Sequence, residues 1–117
     1  MHKAAIVVYA DTESHADLGR LTNALTTAKE FEENGDEVRV VFDGAGTQWI
    51  PELEDDSHTA HPLYASLKDH VSACEFCSGA FGVEDEVAAS GVEADGEFEG
   101  HPSVRGLVDD GYDVITF

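Results

Sequence analysis

The sequence predicts an α/β domain built on an open, mainly parallel five-stranded sheet with helices on both faces. Three observations carry this: an unbroken apolar run near the N-terminus, a well-capped amphipathic helix behind it, and strand-like and helix-like segments that alternate to the end of the chain. Apolar runs rich in β-branched residues mark strands buried on both sides, which occur in parallel sheets covered by crossover helices.

The first strand is the run at residues 4–10, Ala-Ala-Ile-Val-Val-Tyr-Ala. Ser14, followed three residues later by Asp17, resembles a capping box, and Leu18, Leu21, Leu25, Ala28 and Phe31 then recur at helical spacing until Asn34-Gly35. Val38, Val40, Val41 and Phe42 form the second strand, ended by the small-residue turn Asp43-Gly44-Ala45-Gly46. A short helix over residues 47–53 is expected to break at Pro51, and a further helix starts at Pro62, with Leu63, Tyr64 and Leu67 facing inward. Residues 70–74 are the third strand. Residues 75–81 start a helix that Gly82 interrupts and residues 84–90 continue. Val92 opens a short fourth strand. His101-Pro102 starts the last helix, and residues 113–117 are the fifth strand. The expected architecture is a flavodoxin-like three-layer sandwich, one domain over residues 1–117.

In such sheets ligands collect beyond the carboxyl ends of the strands. Three loops should meet there: residues 11–14, 43–46 and 74–77.

A chain of 117 residues, 42% hydrophobic, can bury one core without disulfides or metal. The apolar run at residues 4–10 is too short to span a membrane, so a soluble, unprocessed, cytoplasmic protein is expected. The 25 acidic residues against 6 Lys and Arg give a net charge of −19, which argues against nucleic acid and anionic membrane as partners. The acids are interleaved with apolar residues, so they read as the solvated surface of a protein from a salt-rich cytoplasm and not as catalytic pairs.

Cys74 and Cys77 are the best candidates for chemistry. Three residues apart, they close too small a loop to staple a fold, so their spacing points to redox, metal or nucleophile chemistry. Cys74 should end the third strand, with the next helix aiming its N-terminus at the thiol and favouring the thiolate. Cys77 should fall in that helix's first turn as a resolving thiol. His70, four residues before Cys74 on the strand, would share its face and could support the site. Thr12, Ser14 and Thr47 could line the pocket, and Gly44 and Gly46 belong to a weak phosphate-cradle pattern without the lysine of a P-loop. His58, His61, His70 or His101 could complete a metal site with the cysteines. No second ligand pair is recognisable, however, and neither metal nor cofactor is expected.

The segment Val71-Ser72-Ala73-Cys74-Glu75-Phe76-Cys77-Ser78-Gly79-Ala80-Phe81-Gly82-Val83 resembles the cysteine segment of DsrE-like proteins of the DsrE/DsrF/TusD sulfur-relay type. The order of the first strand and helix, the Val-Arg-Val-Val-Phe second strand and the closing Gly111-Tyr112-Asp113-Val114-Ile115-Thr116-Phe117 is similar too. The resemblance implies a flavodoxin-like fold, trimers or hexamers, and transfer of sulfur as a cysteine persulfide between donor and acceptor proteins. It maps the reactive cysteine onto Cys74, eight residues before Gly82-Val83, and Cys77 onto the second thiol of a Cys-x-x-Cys subset. Relay members often carry arginines just before that glycine, where this chain has Ala80 and Phe81. The acidic surface points to a haloarchaeal member.

The expected function is that of a sulfur carrier or sulfurtransferase with the persulfide on Cys74 and Cys77 stabilising or resolving it. A thiol-disulfide redox module and a non-catalytic binding module on the same fold are the alternatives. The charge reading has its own test in chemical denaturation at several KCl concentrations. At 1 M salt repulsion is screened within about 3 Å, so stability should climb over the molar range. Equal stability in dilute buffer would remove the halophilic reading.

Overall fold

The computed structural model describes all 117 residues. Its strands are β1 (Lys3–Val8), β2 (Glu37–Phe42), β3 (Val71–Cys74), β4 (Glu93–Asp95) and β5 (Asp113–Thr116). Its helices are α1 (His15–Glu33), α2 (Trp49–Glu54), α3 (His61–Leu67), α4 (Glu75–Ala80), α5 (Glu84–Ser90) and α6 (Val104–Asp109). All strand pairs are parallel, in the order β4-β3-β2-β1-β5. The fold is the expected α/β sandwich. No helix is long and apolar enough to cross a membrane.

The strand order explains how the layers fill. From β1 to β4 the chain advances in one direction, and right-handed crossovers then put every connecting helix on the same face. From β4 to β5 it doubles back past β1, which sends α6 to the opposite face. The main core follows this division: Ala4, Ile6, Val8, Val38, Val40, Phe42, Val71 and Ala73 meet Leu21, Leu25, Ile50, Leu53, Tyr64, Leu67 and Val87 from the crossover helices. The other face carries Ala5, Val7 and Val41, with Leu107 of α6 buried on that side. The two helical layers are therefore unequal, five helices against one.

Local chemistry sets the element boundaries. Ser14 caps α1 as the sequence indicates: its hydroxyl accepts from the Asp17 amide at 3.2 Å and donates to the Asp17 carboxylate at 2.9 Å. Pro51 does not break α2. It lies in the helix's first turn, where a missing N–H costs nothing. A 3₁₀ turn at Lys68–His70 takes up the residues just before β3, so the strand begins at Val71 and His70 is not on it.

The turn after β2 is docked onto the end of β1. The Asp43 amide donates to the Val8 carbonyl at 3.0 Å, and the buried Trp49 indole donates to the Ala10 carbonyl at 2.9 Å. Gly46 packs so closely that a Cβ there would stand 2.0 Å from the Val8 carbonyl oxygen. Backbone cannot yield as a flexible side chain does, so Gly46→Ala should cost about 1–3 kcal/mol or more, read as a lower urea midpoint at constant salt. An unchanged midpoint would show that the turn is free to move away from β1.

Candidate functional site

Cys74 ends β3 and caps α4. Its sulfur accepts from the Cys77 amide at 3.3 Å, and its carbonyl accepts from the Ser78 hydroxyl at 2.7 Å. Both thiols are free. Cys74 is fully buried and Cys77 half-buried, a difference that spacing alone does not give.

Two further side chains join them. Beyond β4 the chain makes a two-residue hairpin: Phe98 and His101 exchange backbone hydrogen bonds of 2.8 Å, with Glu99 and Gly100 at φ of 51° and 86°. Both central residues in the left-handed region define a type I′ turn, which glycine favours at its second position. The Gly100 carbonyl accepts from the Phe76 amide at 2.8 Å, fastening the hairpin over the start of α4. That contact brings His101 Nδ1 to 3.3 Å from the Cys74 sulfur and 4.0 Å from that of Cys77. The imidazole packs on Phe76, ring centroids 4.8 Å apart.

From the opposite side comes Asp43, at the end of β2. It is only 8% exposed, and its Oδ1 accepts from the Gly44 amide at 2.8 Å. The donor atoms of Asp43, Cys74, Cys77 and His101 all lie within 4.8 Å of one another.

Burial pushes the Cys74 thiol up to about 12. The Cys77 amide pulls it down, while the Cys77 side chain and Asp43 push it further up. The thiolate expected from a helix N-terminus is therefore not favoured: α4 has only six residues, and desolvation of the anion outweighs its dipole. Tyr9, at the exit of β1, is raised by burial and then by Asp43, Cys77 and Cys74, which places its phenol beside the same cluster.

Residues 4–117 match the DsrE/DsrF-like family. The chain belongs to that family. It is 28% identical over 95 residues to an uncharacterised protein of Methanocaldococcus jannaschii, covering 81% of this chain and 78% of the relative. A conserved protein of unknown function from Bacteroides thetaiotaomicron shares the fold, with a TM-score of 0.63 at 12% identity, covering 97% of this chain and 94% of the other.

Within this DsrE/DsrF-like chain the candidate residues divide. Cys74 and Cys77 meet as the spacing requires, and the residue 43–46 loop reaches them through Asp43. Thr47 is buried behind the cluster, its hydroxyl donating to the Gly44 carbonyl at 2.9 Å and lying 3.5 Å from that of Cys77. Gly44 takes the positive φ of that turn, 56°, against the Tyr9 ring, and Gly46 supplies the close approach to β1. Both serve the turn.

The others are elsewhere. Ser14 is the cap of α1, and Thr12 and Ser14 line a shallow groove with Trp49 and His58. His70 pairs with Glu32 of α1 at 2.8 Å, since the 3₁₀ turn takes it off the strand. His58 accepts from the Ala60 amide, and His61 lies 2.6 Å from the Leu53 carbonyl. Sequence reasoning names His101 only as one of four histidines that could complete a metal site, and Asp43 only as part of a turn; neither is singled out as a member of the site. The available signals were the Glu99-Gly100 turn pair just before His101 and the position of Asp43 at a strand end.

Unequal burial of the thiols predicts unequal labelling. Iodoacetamide on the native protein should modify Cys77 and spare Cys74 until denaturant is added, as read by peptide mass mapping. Equal native rates at both would mean that the hairpin does not cover Cys74.

Proposed function

We propose that this chain is a thiol-based sulfur carrier of the sulfur-relay type, with Cys77 as the thiol a donor reaches and Cys74 as its buried partner. The observation that carries the reading is that both thiols and the His101 imidazole share one cluster at the strand-end rim of a DsrE/DsrF-like chain. The full burial of Cys74 and the partial exposure of Cys77 support reversing the order that the resemblance implies, with first contact at Cys77.

The steps are as follows. The Cys77 sulfur attacks the outer sulfur of a donor persulfide R–S–SH. The donor's S–S bond breaks, R–SH leaves with a proton, and Cys77 becomes a persulfide. His101 Nδ1, 4.0 Å from Cys77, is placed to accept the thiol proton as the S–S bond forms. An acceptor thiol then takes the outer sulfur. Without an acceptor, Cys74 gives its proton to His101 Nδ1, 3.3 Å away, and attacks the inner Cys77 sulfur; the persulfide S–S bond breaks, the outer sulfur leaves as HS⁻ and takes up that proton, and a disulfide remains for an external dithiol to reduce.

The partners in this reading are sulfur donor and acceptor proteins in the cytoplasm. Self-association as a trimer or hexamer is supported by exposed apolar side chains, Phe76, Phe81, Phe98, Val104 and Val108. The net charge of −19 supports a haloarchaeal host.

Intact mass spectrometry of the reduced, metal-free protein in high salt, before and after a low-molecular-weight persulfide, tests the assignment. Wild type should gain one sulfur, Cys77→Ser none, and Cys74→Ser should hold the added sulfur longer than wild type. Loss of two hydrogens with no sulfur-bearing species would favour a redox module, and no change in any form would remove sulfur carriage.

A further inference from the structure

We propose that Asp43, Cys74, Cys77 and His101 form a closed binding site for one zinc-type divalent ion. This goes beyond the sulfur-carrier reading and stands without it. Zinc takes thiolate, imidazole and carboxylate donors at about 2.3, 2.0–2.1 and 2.0–2.2 Å in a tetrahedron, whose neighbouring corners are then about 3.3–3.8 Å apart. Here His101 Nδ1 stands 3.3 Å from one sulfur and 4.0 Å from the other, and no two of the four donor atoms are separated by more than 4.8 Å. A tetrahedron requires the widest donor pair, 4.8 Å apart, to close by about 1 Å.

The surroundings fit a cation. Asp43 is buried and makes no ion pair with any Lys, Arg or His, so a carboxylate sits beside two thiols with no positive partner. Three of the four ligands are held by a further contact: Gly44 N–H on Asp43, the Cys77 amide on Cys74, and the Phe76 ring against His101. The donors come from three separate places in the chain, the ends of β2 and β3 and the hairpin after β4, so one ion would bind them across the sheet rim. Two sulfurs with one nitrogen and one oxygen in a tetrahedron favour zinc over magnesium or calcium, which take oxygen donors. Four protein ligands leave no open position, the arrangement of a structural site. Binding sends the two thiol protons to solvent.

The test uses Co²⁺ as a probe, titrated anaerobically into the reduced full chain in molar KCl, where weak binding by the acidic surface is screened. The expected result is one Co²⁺ per chain, with a sulfur-to-cobalt charge-transfer band, intense tetrahedral visible bands, and displacement by one equivalent of Zn²⁺. The charge-transfer band should fall in Cys74→Ser and Cys77→Ser, and affinity should drop at least about tenfold in His101→Ala and Asp43→Asn. Should a variant at the buried Asp43 or Cys74 fail to fold, the half-buried His101→Ala decides alone. An octahedral spectrum without the charge-transfer band, or wild-type affinity in His101→Ala, would overturn the site. Neither readout involves sulfur loading, which is measured on metal-free protein, so failure of one proposal leaves the other standing.

Discussion

The Phe76 amide donates to the Gly100 carbonyl, and the site depends on that hydrogen bond. It joins the first turn of α4, which carries the thiols, to the hairpin that carries His101. A six-residue helix has little dipole and little stability of its own, so its start must be held from outside. The type I′ turn does this because Gly100 can adopt positive φ and turn its carbonyl toward the helix. The same turn covers Cys74, which turns an expected reactive thiolate into a buried thiol.

The sheet topology supplies the other half. Parallel strands deliver all their carboxyl ends to one rim, and the single sweep from β1 to β4 lays the exits of β2, β3 and β4 side by side. Asp43, Cys74 and the hairpin after β4 are therefore neighbours in space although far apart in sequence. Electrostatics sharpens the arrangement. The protein's surface is strongly acidic, and even the buried rim holds a carboxylate and two thiols with only His101 able to carry positive charge among them. A cation or a neutral sulfur species suits such a place better than an anionic ligand.

Much of this was legible in the sequence because it depends on local pattern. The apolar run of β1, the Ser14 cap, the glycine after α1 and the Cys-x-x-Cys at a strand-to-helix corner all act within a few residues of themselves. The strand order was not legible, since alternation of elements fits several windings of the sheet. His101 could not be told from the other histidines for a related reason: its contact with Cys74 spans 27 residues and runs through a hairpin, where the His101-Pro102 pair reads as a helix start. His70 was misplaced by a single 3₁₀ turn, which removed it from β3 and gave it to Glu32. Thr12 and Ser14 were assigned to the rim because they follow β1, but capping α1 draws that loop toward Trp49 and His58. Only the Ser14 cap was read correctly with its direction in space missed; the strand start at His70 and the helix start at His101-Pro102 were themselves misread, since β3 begins at Val71 and α6 at Val104.

The central claim is that the hairpin clamps the cysteine helix into a preformed cluster, and amide hydrogen exchange at Phe76 and Cys77 tests it most directly. First-turn amides of a helix have no partner within the helix and exchange freely unless something else accepts them. The clamp gives the Phe76 amide the Gly100 carbonyl and the Cys77 amide the Cys74 sulfur, so both should be protected although Phe76 is 58% exposed. Free exchange at both amides in the reduced native protein would contradict the clamp and the cluster built on it.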